Sequence, residues 1–296
     1  MNSFYLNECL GDINPGCEAL AAGLVTVIKA FHQLAEKKNL RVDKGWVLEK
    51  EPTAMHLSGE SLQKIVANMR NKECKRLFFV YCLNYPVHKH YSEIDVDELL
   101  DAQYRFENAD AINMVIAHRN GGILMSVPVS DKLQKNMLVA VSCKDEYPPV
   151  EMVNLHGATE ENIRAVEREL LDRNYDKLDG LEKIECLAPS VKFTEQFVKR
   201  FEGMTDNDRR AIFDRIDEAR RGNLLQPLRC NGSVIKHVNT HVEELRIVNP
   251  VDIRVYFHEQ GDSLYFAKAA FKSEYVGQND QNKDIDDAER LIVSML

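Results

Sequence analysis

The chain has 296 residues, of which 44% are hydrophobic, 29% charged and 8% aromatic, the balance of a folded globular protein and not of a disordered one. A formal net charge of −9 argues against non-specific binding along duplex DNA, which needs a surplus of Lys and Arg. No apolar run approaches the roughly 20 residues that span a bilayer, and the opening MNSFYLNECL lacks the basic-then-apolar layout of a secretory signal, so no membrane partner and a cytoplasmic location are expected.

Seven cysteines, Cys9, Cys17, Cys74, Cys82, Cys143, Cys186 and Cys230, are scattered without a C-x-x-C pair. Ordinary free thiols fit that pattern better than a zinc ribbon or a disulfide framework. The charge is uneven. Val191 to Leu296 carries 16 Lys and Arg against 18 Asp and Glu, leaving 22 against 29 before it. The acidity therefore sits mainly in the first part, and the second part can still present a local basic face.

In chain order, Leu20, Leu24, Ile28, Phe31 and Leu34 recur at helical spacing, predicting an early amphipathic helix that ends in lysines. Trp46 reads as a core or interface residue. SGESLQKIVANMRN predicts a second helix with Ser58 and Ser61 as competing caps. KRLFFVYCLNYP, Lys75 to Pro86, fits helix or strand equally well. His88, His90, Glu93 and Asp95 in PVHKHYSEID would form a metal-binding face on a strand, although an exposed polar loop is the plainer reading. AINMVIAHRNGGILMSVPVS reads as a hairpin turning near Asn120–Gly122, and NMLVAVS as a following strand.

GATEENIRAVERELLDRN predicts a helix capped by Thr159, with Ile163, Val166, Leu170 and Leu171 as its buried stripe. Asn154 and His156 precede its N-terminus, where free amides hold anions in some proteins; a capping loop is the plainer reading here. Periodicity then fades up to Pro189–Ser190, the expected domain boundary. Beyond it, Phe193, Phe197 and Phe201 fall on one helical stripe. A second helix follows, capped by Thr205, with Ile212 and Ile216 inward. Three β-rich runs come next. A last helix is expected from Asp284 as cap, with Ile285, Ala288, Leu291 and Ile292 inward.

The three runs alternate with period two. Leu245 and Ile247, then Ile253, Val255 and Phe257, then Tyr265, Ala267, Ala269 and Phe271 make the more apolar set. Packing that set against the helices leaves Arg246, Arg254, Tyr256, His258, Lys268 and Lys272 on the opposite face. Metal-free RNA cleavage needs a 2′-OH activated, an anionic phosphorane stabilised and a leaving oxygen protonated. Arg, Lys, Tyr and His supply those functions. A solvated face of alternating charge is the alternative on pattern alone.

The run EELRIVNPVDIRVYF…LYFAKAAFK…QNKDIDDAERLI resembles the RelE/HigB-type toxin superfamily, particularly its phage-derived HigB-like branch, over about Lys192 to Leu296. The shared parts are a Glu-Leu-Arg strand, an Arg-Val-aromatic strand, a strand ending in Phe-Lys and a closing helix. Ser273 and Glu274 stand where members carry a second lysine, and the segment is near neutral where the toxins are basic. The resemblance implies two helices on a curved antiparallel sheet and ribosome-dependent cleavage of messenger RNA. It also implies neutralisation by an antitoxin. By position, Arg246 and Arg254 match the family's strand arginines, with Arg254 at the scissile phosphate. Lys272 matches the basic residue that closes the third strand, and Tyr275 the late tyrosine.

The expected fold class is thus α/β (α+β): a mixed α/β domain of residues 1–188, then a RelE/HigB-like domain of residues 189–296. The expected function is a toxin-like endoribonuclease in antiviral defence. It would be regulated by its first domain or a partner, and would need no cofactor or metal. Arg254 and Arg246 would bind phosphate and Lys272 and Lys268 would stabilise charge or move protons. Tyr256, His258 or Tyr275 would orient the 2′-OH. RNA and the ribosome are the expected partners, with an antitoxin or other defence protein beside them. The alternative is a non-catalytic module that binds a partner protein, ribosome or nucleic acid. A third reading has the acidic first domain acting as a built-in antitoxin.

Overall fold

A computed structural model describes residues 1–11, 13–82, 84, 96–222 and 234–296. The motif from His88 to Asp95 and Cys230 lie outside the described residues. The chain is mixed α/β, as expected, and divides into two compact units, Met1–Leu170 and Leu171–Leu296.

The first unit contains β1 (Asn2–Leu6), α1 (Cys17–Ala35), β2 (Val42–Val47) and a β3–β4 hairpin (His56–Leu57, Glu60–Ser61). After these come α2 (Leu62–Asn68), α3 (Lys72–Tyr81) and α4 (Val96–Ala102). A second small hairpin, β5–β6 (Arg105–Phe106, Ala109–Asp110), leads into α5 (Ile112–Arg119), β7 (Ile123–Met125), β8 (Met137–Ala140) and β9 (Val150–Leu155). The helix α6 (Glu160–Tyr175) runs across the division. The main sheet has the order β2-β1-β7-β9-β8, parallel throughout except for the antiparallel edge strand β8.

Phe4, Tyr5 and Leu6 of β1 are consecutive and all buried, the pattern of an inner parallel strand covered on both faces. Against them, α1 sets Phe31, with ring centroids 5.1 Å from Phe4, 5.5 Å from Trp46 and 4.9 Å from Tyr81, all edge-on. Trp46 is a core residue, as expected. By length and composition α1 could cross a membrane. Its Leu20, Leu24, Val27, Ile28, Phe31 and Leu34 are all spent on this core.

Ser61 caps α2 by accepting from the Lys64 N–H. Ser58 instead starts the left-handed turn of the β3–β4 hairpin with Gly59. KRLFFVY is helical, because Cys74, Leu77, Phe78 and Tyr81 are buried at i, i+3, i+4 and i+7 while Phe79 and Val80 are exposed. The expected hairpin around Asn120–Gly122 is corrected to the helix α5 followed by β7. Met114 to Ala117 are buried in succession, which is not the one-sided alternation of a two-stranded hairpin. Gly121, at φ +66, ends the helix just past its C-cap Asn120, with the Gly122 N–H donating to the Ala117 carbonyl. A glycine that can take positive φ serves a helix end as readily as a hairpin turn.

Before α6, the Asn162 side chain accepts the His156 and Gly157 N–H groups, and the Asn162 backbone N–H donates to the Thr159 hydroxyl. His156 accepts the Ala158 N–H, and burial holds its imidazole below the usual range. These amides are used within a capping loop, so they do not form an anion site. Gly157 sits at φ +66 with its Cα against α1, where an added Cβ would lie 2.5 Å from the Ala30 Cβ and 3.2 Å from the Thr26 oxygen. Gly157→Ala is expected to lower the stability of the first unit by about 2–4 kcal/mol, strain and overpacking together. Urea unfolding followed by the fluorescence of Trp46, the only tryptophan, would read this.

The second unit comprises α7 (Gly180–Glu185), β10 (Ser190–Phe193), α8 (Glu195–Glu202) and α9 (Asp206–Gly222). The strands β11 (Ile235–Asn239), β12 (Val242–Ile247), β13 (Ile253–Gln260) and β14 (Ser263–Phe271) follow, and α10 (Gln278–Met295) closes the chain. The sheet order is β10-β14-β13-β12-β11, antiparallel except for β10, which runs parallel to β14. The units divide earlier than Pro189 because the end of α6 belongs to this core. The Tyr175 hydroxyl donates to Asp217 at 2.6 Å and Arg220 pairs with Asp172 at 2.5 Å.

Phe193 lies on β10 and not on a helix, yet its ring still stacks on Phe197, which stacks on Phe201. Thr194 and Thr205 cap α8 and α9 by accepting the N–H groups of Phe197 and Asp208. Helix α10 starts at Gln278, so Asp284 is not a cap. Ala288 and Ile292 of α10 pack with Val242, Tyr256 and Ala267 of the sheet, flanked by Ile285 and Leu291.

Candidate functional site

Four of the six expected positions, Arg246, Arg254, Tyr256 and Lys268, converge by register, while His258 lies past a bulge and Lys272 just past the end of β14. Across β12, β13 and β14, Glu244 faces Tyr256 and Tyr256 faces Lys268; one step along, Arg246 faces Arg254 and Arg254 faces Ala270. A bulge between Tyr256 and Phe257 shifts the pairing with β14, so that Phe257 meets Phe266 and His258 meets Tyr265. One extra residue reverses the alternation beyond it. Phe266 is therefore a core residue stacked on Phe257 and set against Phe197. Ala267 and Tyr265 leave the apolar set to which simple alternation assigns them.

The face is not an open cationic surface. Helix α10 packs over part of it, and carboxylates answer its cations. Glu244, only 1% exposed, lies between the two arginines. Its Oε2 accepts from Arg246 Nε at 3.1 Å and Nη2 at 2.9 Å, and its Oε1 is 3.2 Å from Arg254 Nε. Asp252 reaches Arg254 Nη2 at 3.2 Å and Lys272 at 3.3 Å. Lys268 is held by Asp284 at 2.5 Å and by Asp287 at 3.5 Å. His258 Nδ1 lies 3.1 Å from Glu243 Oε2. Arg246 and Arg254 face each other at one register position. Like charges so placed repel unless a counter-ion such as Glu244 intervenes.

Two features of the cluster bear on chemistry. The Arg254 side chain is 10% exposed, and its Nη1 is buried with no hydrogen-bond acceptor among the described residues. A buried guanidinium with an unused donor is costly unless an anion takes it. The tyrosines form a chain. Tyr256 is fully buried, its hydroxyl 3.3 Å from that of Tyr275, which donates to Asp284 at 2.8 Å. Burial, first of all, pushes the Tyr256 phenol up to about 12. The Tyr275 phenol is pushed further up by burial and by its bonds to Tyr256 and Asp284. Both stay protonated at neutral pH and can donate a proton but not abstract one.

The residues that sequence reasoning passed over are the acids Glu244, Asp252 and Asp284. Glu244 carried a signal, since alternation puts it on the face of Arg246 and Arg254. Asp284 carried none, because its partners come from β14 and from the segment before α10. Among the described residues, no group of three or more His, Cys, Asp or Glu is placed to hold a metal ion. No protein-family model, curated protein or solved structure matches the chain.

Proposed function

We propose that the second unit is a toxin-like effector domain of the RelE/HigB kind that takes an RNA phosphate on Arg254, with Arg246 and Lys272 beside it. The carrying observation is the buried Nη1 of Arg254, which has no acceptor among the described residues, directly opposite Arg246. Two helices, α8 and α9, in front of four antiparallel strands and a closing helix also suit that resemblance. An incoming phosphate would displace Glu244 and Asp252 from the guanidiniums, since bidentate Arg–phosphate pairing matches the geometry that carboxylates now occupy. Lys268, Tyr275 and His258 are the remaining proton donors of the face. Tyr256 is too enclosed to meet a 2′-OH and acts through Tyr275. RNA on the ribosome is the proposed substrate. The first unit or a separate antitoxin is the proposed restraint, and antiviral defence the proposed setting.

A second reading is a non-catalytic module, favoured by the carboxylate partner on each of Arg246, Arg254, Lys268 and Lys272. Inducing the full chain and its Arg254→Ala and Arg254→Lys forms in a bacterial host, and mapping new RNA 5′ ends, separates the two. The catalytic reading expects new cuts that fall by at least about a hundredfold in Arg254→Ala and are partly kept in Arg254→Lys. Ribosome co-sedimentation that weakens in Arg254→Ala, without RNA cuts in any form, supports the module. Neither cuts nor co-sedimentation in any soluble form would sink both readings.

A further inference from the structure

The first unit holds a cavity of about 580 Å³ at the carboxyl ends of β1, β2 and β7. The chain passes from β1 to β2 on one side and then returns to β7 on the other side of β1. Ligands of open parallel sheets bind outside the carboxyl ends of the strands where the order reverses in this way, and the volume suits a small molecule. Its apolar part includes Leu6, Val47, Met55, Met114 and Leu124.

Two carboxyls meet at its polar side, each two residues past the end of its strand. Glu8 follows β1 and Glu49 follows β2, and the Glu49 N–H donates to Glu8 Oε1 at 2.9 Å. Burial first, then the Glu49 carboxylate, pushes the Glu8 carboxyl up to about 9. Glu49 is held below the usual range, chiefly by its hydrogen bond from Glu8. The two therefore share one proton at neutral pH. Among the described residues, the other titratable groups around the cavity are Tyr5, Cys9, Lys50, His56 and Asp110. Lys50 lies 3.2 Å from Glu49 on the outer side, with its side chain 59% exposed. Three acids in the lining disfavour phosphate, and the absence of a metal-ligating cluster among the described residues disfavours a metal ion.

We propose that this cavity binds a small organic cation, with an ammonium or guanidinium group seated between Glu8 and Glu49 and an apolar body over Met55, Met114 and Leu124. The cation takes the place of the shared proton, so binding releases about one proton and strengthens as pH rises. This site is independent of the RNA-binding face proposed above.

Titration calorimetry of the full chain with butylguanidinium, and with neutral n-butylurea as its isostere, tests the proposal. The guanidinium probe stays charged throughout the range. The expected result is saturable binding of butylguanidinium alone. Its Kd should fall about tenfold per pH unit between pH 7 and 8.5, with proton release shown by buffers of different ionisation enthalpy. Glu8→Gln keeps a donor to Glu49 and an acceptor for its N–H, and should weaken binding and remove the pH dependence. Equal binding of the urea, a pH-independent Kd in the unaltered chain, or no saturable binding at millimolar probe would overturn it. The measurement on the unaltered chain decides even if Glu8→Gln fails to fold.

Discussion

Glu244→Ala is expected to destabilise the second unit by about 3–5 kcal/mol, the usual cost of removing one member of a buried charge set. Glu244 is the counter-ion of both Arg246 and Arg254, which face each other across β12 and β13. Without it, two guanidiniums repel at one register position and Arg254 keeps, among the described residues, only Asp252. Faster hydrogen exchange at the β12 and β13 amides of the intact chain would report the loss, with α1 and β1 amides unchanged as the internal control. Glu244→Gln retains two hydrogen-bonding atoms and should lose less. Unchanged exchange in Glu244→Ala would mean that the arginines are hydrated and that Glu244 does not organise the face. If the cluster holds phosphate, Glu244→Ala also frees its donors, so RNA affinity should rise while stability falls.

Phe31→Ala should cost the first unit about 3–5 kcal/mol. Its ring is fully buried and touches Phe4, Trp46 and Tyr81 edge-on, joining α1 to β1, β2 and α3 at one point. Truncation removes the ring's transfer energy and leaves a cavity whose walls belong to four elements, which limits collapse. Urea unfolding followed by Trp46 emission reads this unit, and the midpoint should fall with little change in slope. Phe79→Ala is the control, since that ring is 64% exposed and should stay within about 0.5 kcal/mol. A Phe31→Ala midpoint equal to that control would show that the aromatic cluster does not hold the unit together.

By itself the sequence determined the elements whose signal is local. The 3.6-residue stripe of α1, the Thr159 and Thr205 caps and the period-two runs of β12, β13 and β14 follow from neighbouring residues, whereas the choice of Ser61 over Ser58 as cap of α2 came with the structure. The same alternation brought Arg246, Arg254, Tyr256 and Lys268 to one face. Where several apolar residues ran together, as in α3, periodicity could not choose between helix and strand, and over α5 it pointed to a hairpin where the chain forms a helix. The short inner strand β1 carried no turn signal to mark it. Its partners β2 and β7 lie far along the chain, and pairing across that distance leaves no imprint on local spacing. Tertiary structure alone decided the rest. The bulge at Ala267, which has no partner between the Tyr256–Lys268 and Phe257–Phe266 pairs, reversed the sides of Tyr265 and Phe266, because a single unpaired residue inverts the positions beyond it. Packing of α10 carried Asp284 to Lys268 and Tyr275, and the parallel pairing of β1 with β2 set Glu8 beside Glu49. The chemistry of both sites depends on carboxylates brought by long-range contacts, and at Glu8 burial then raises the pKa of the carboxyl.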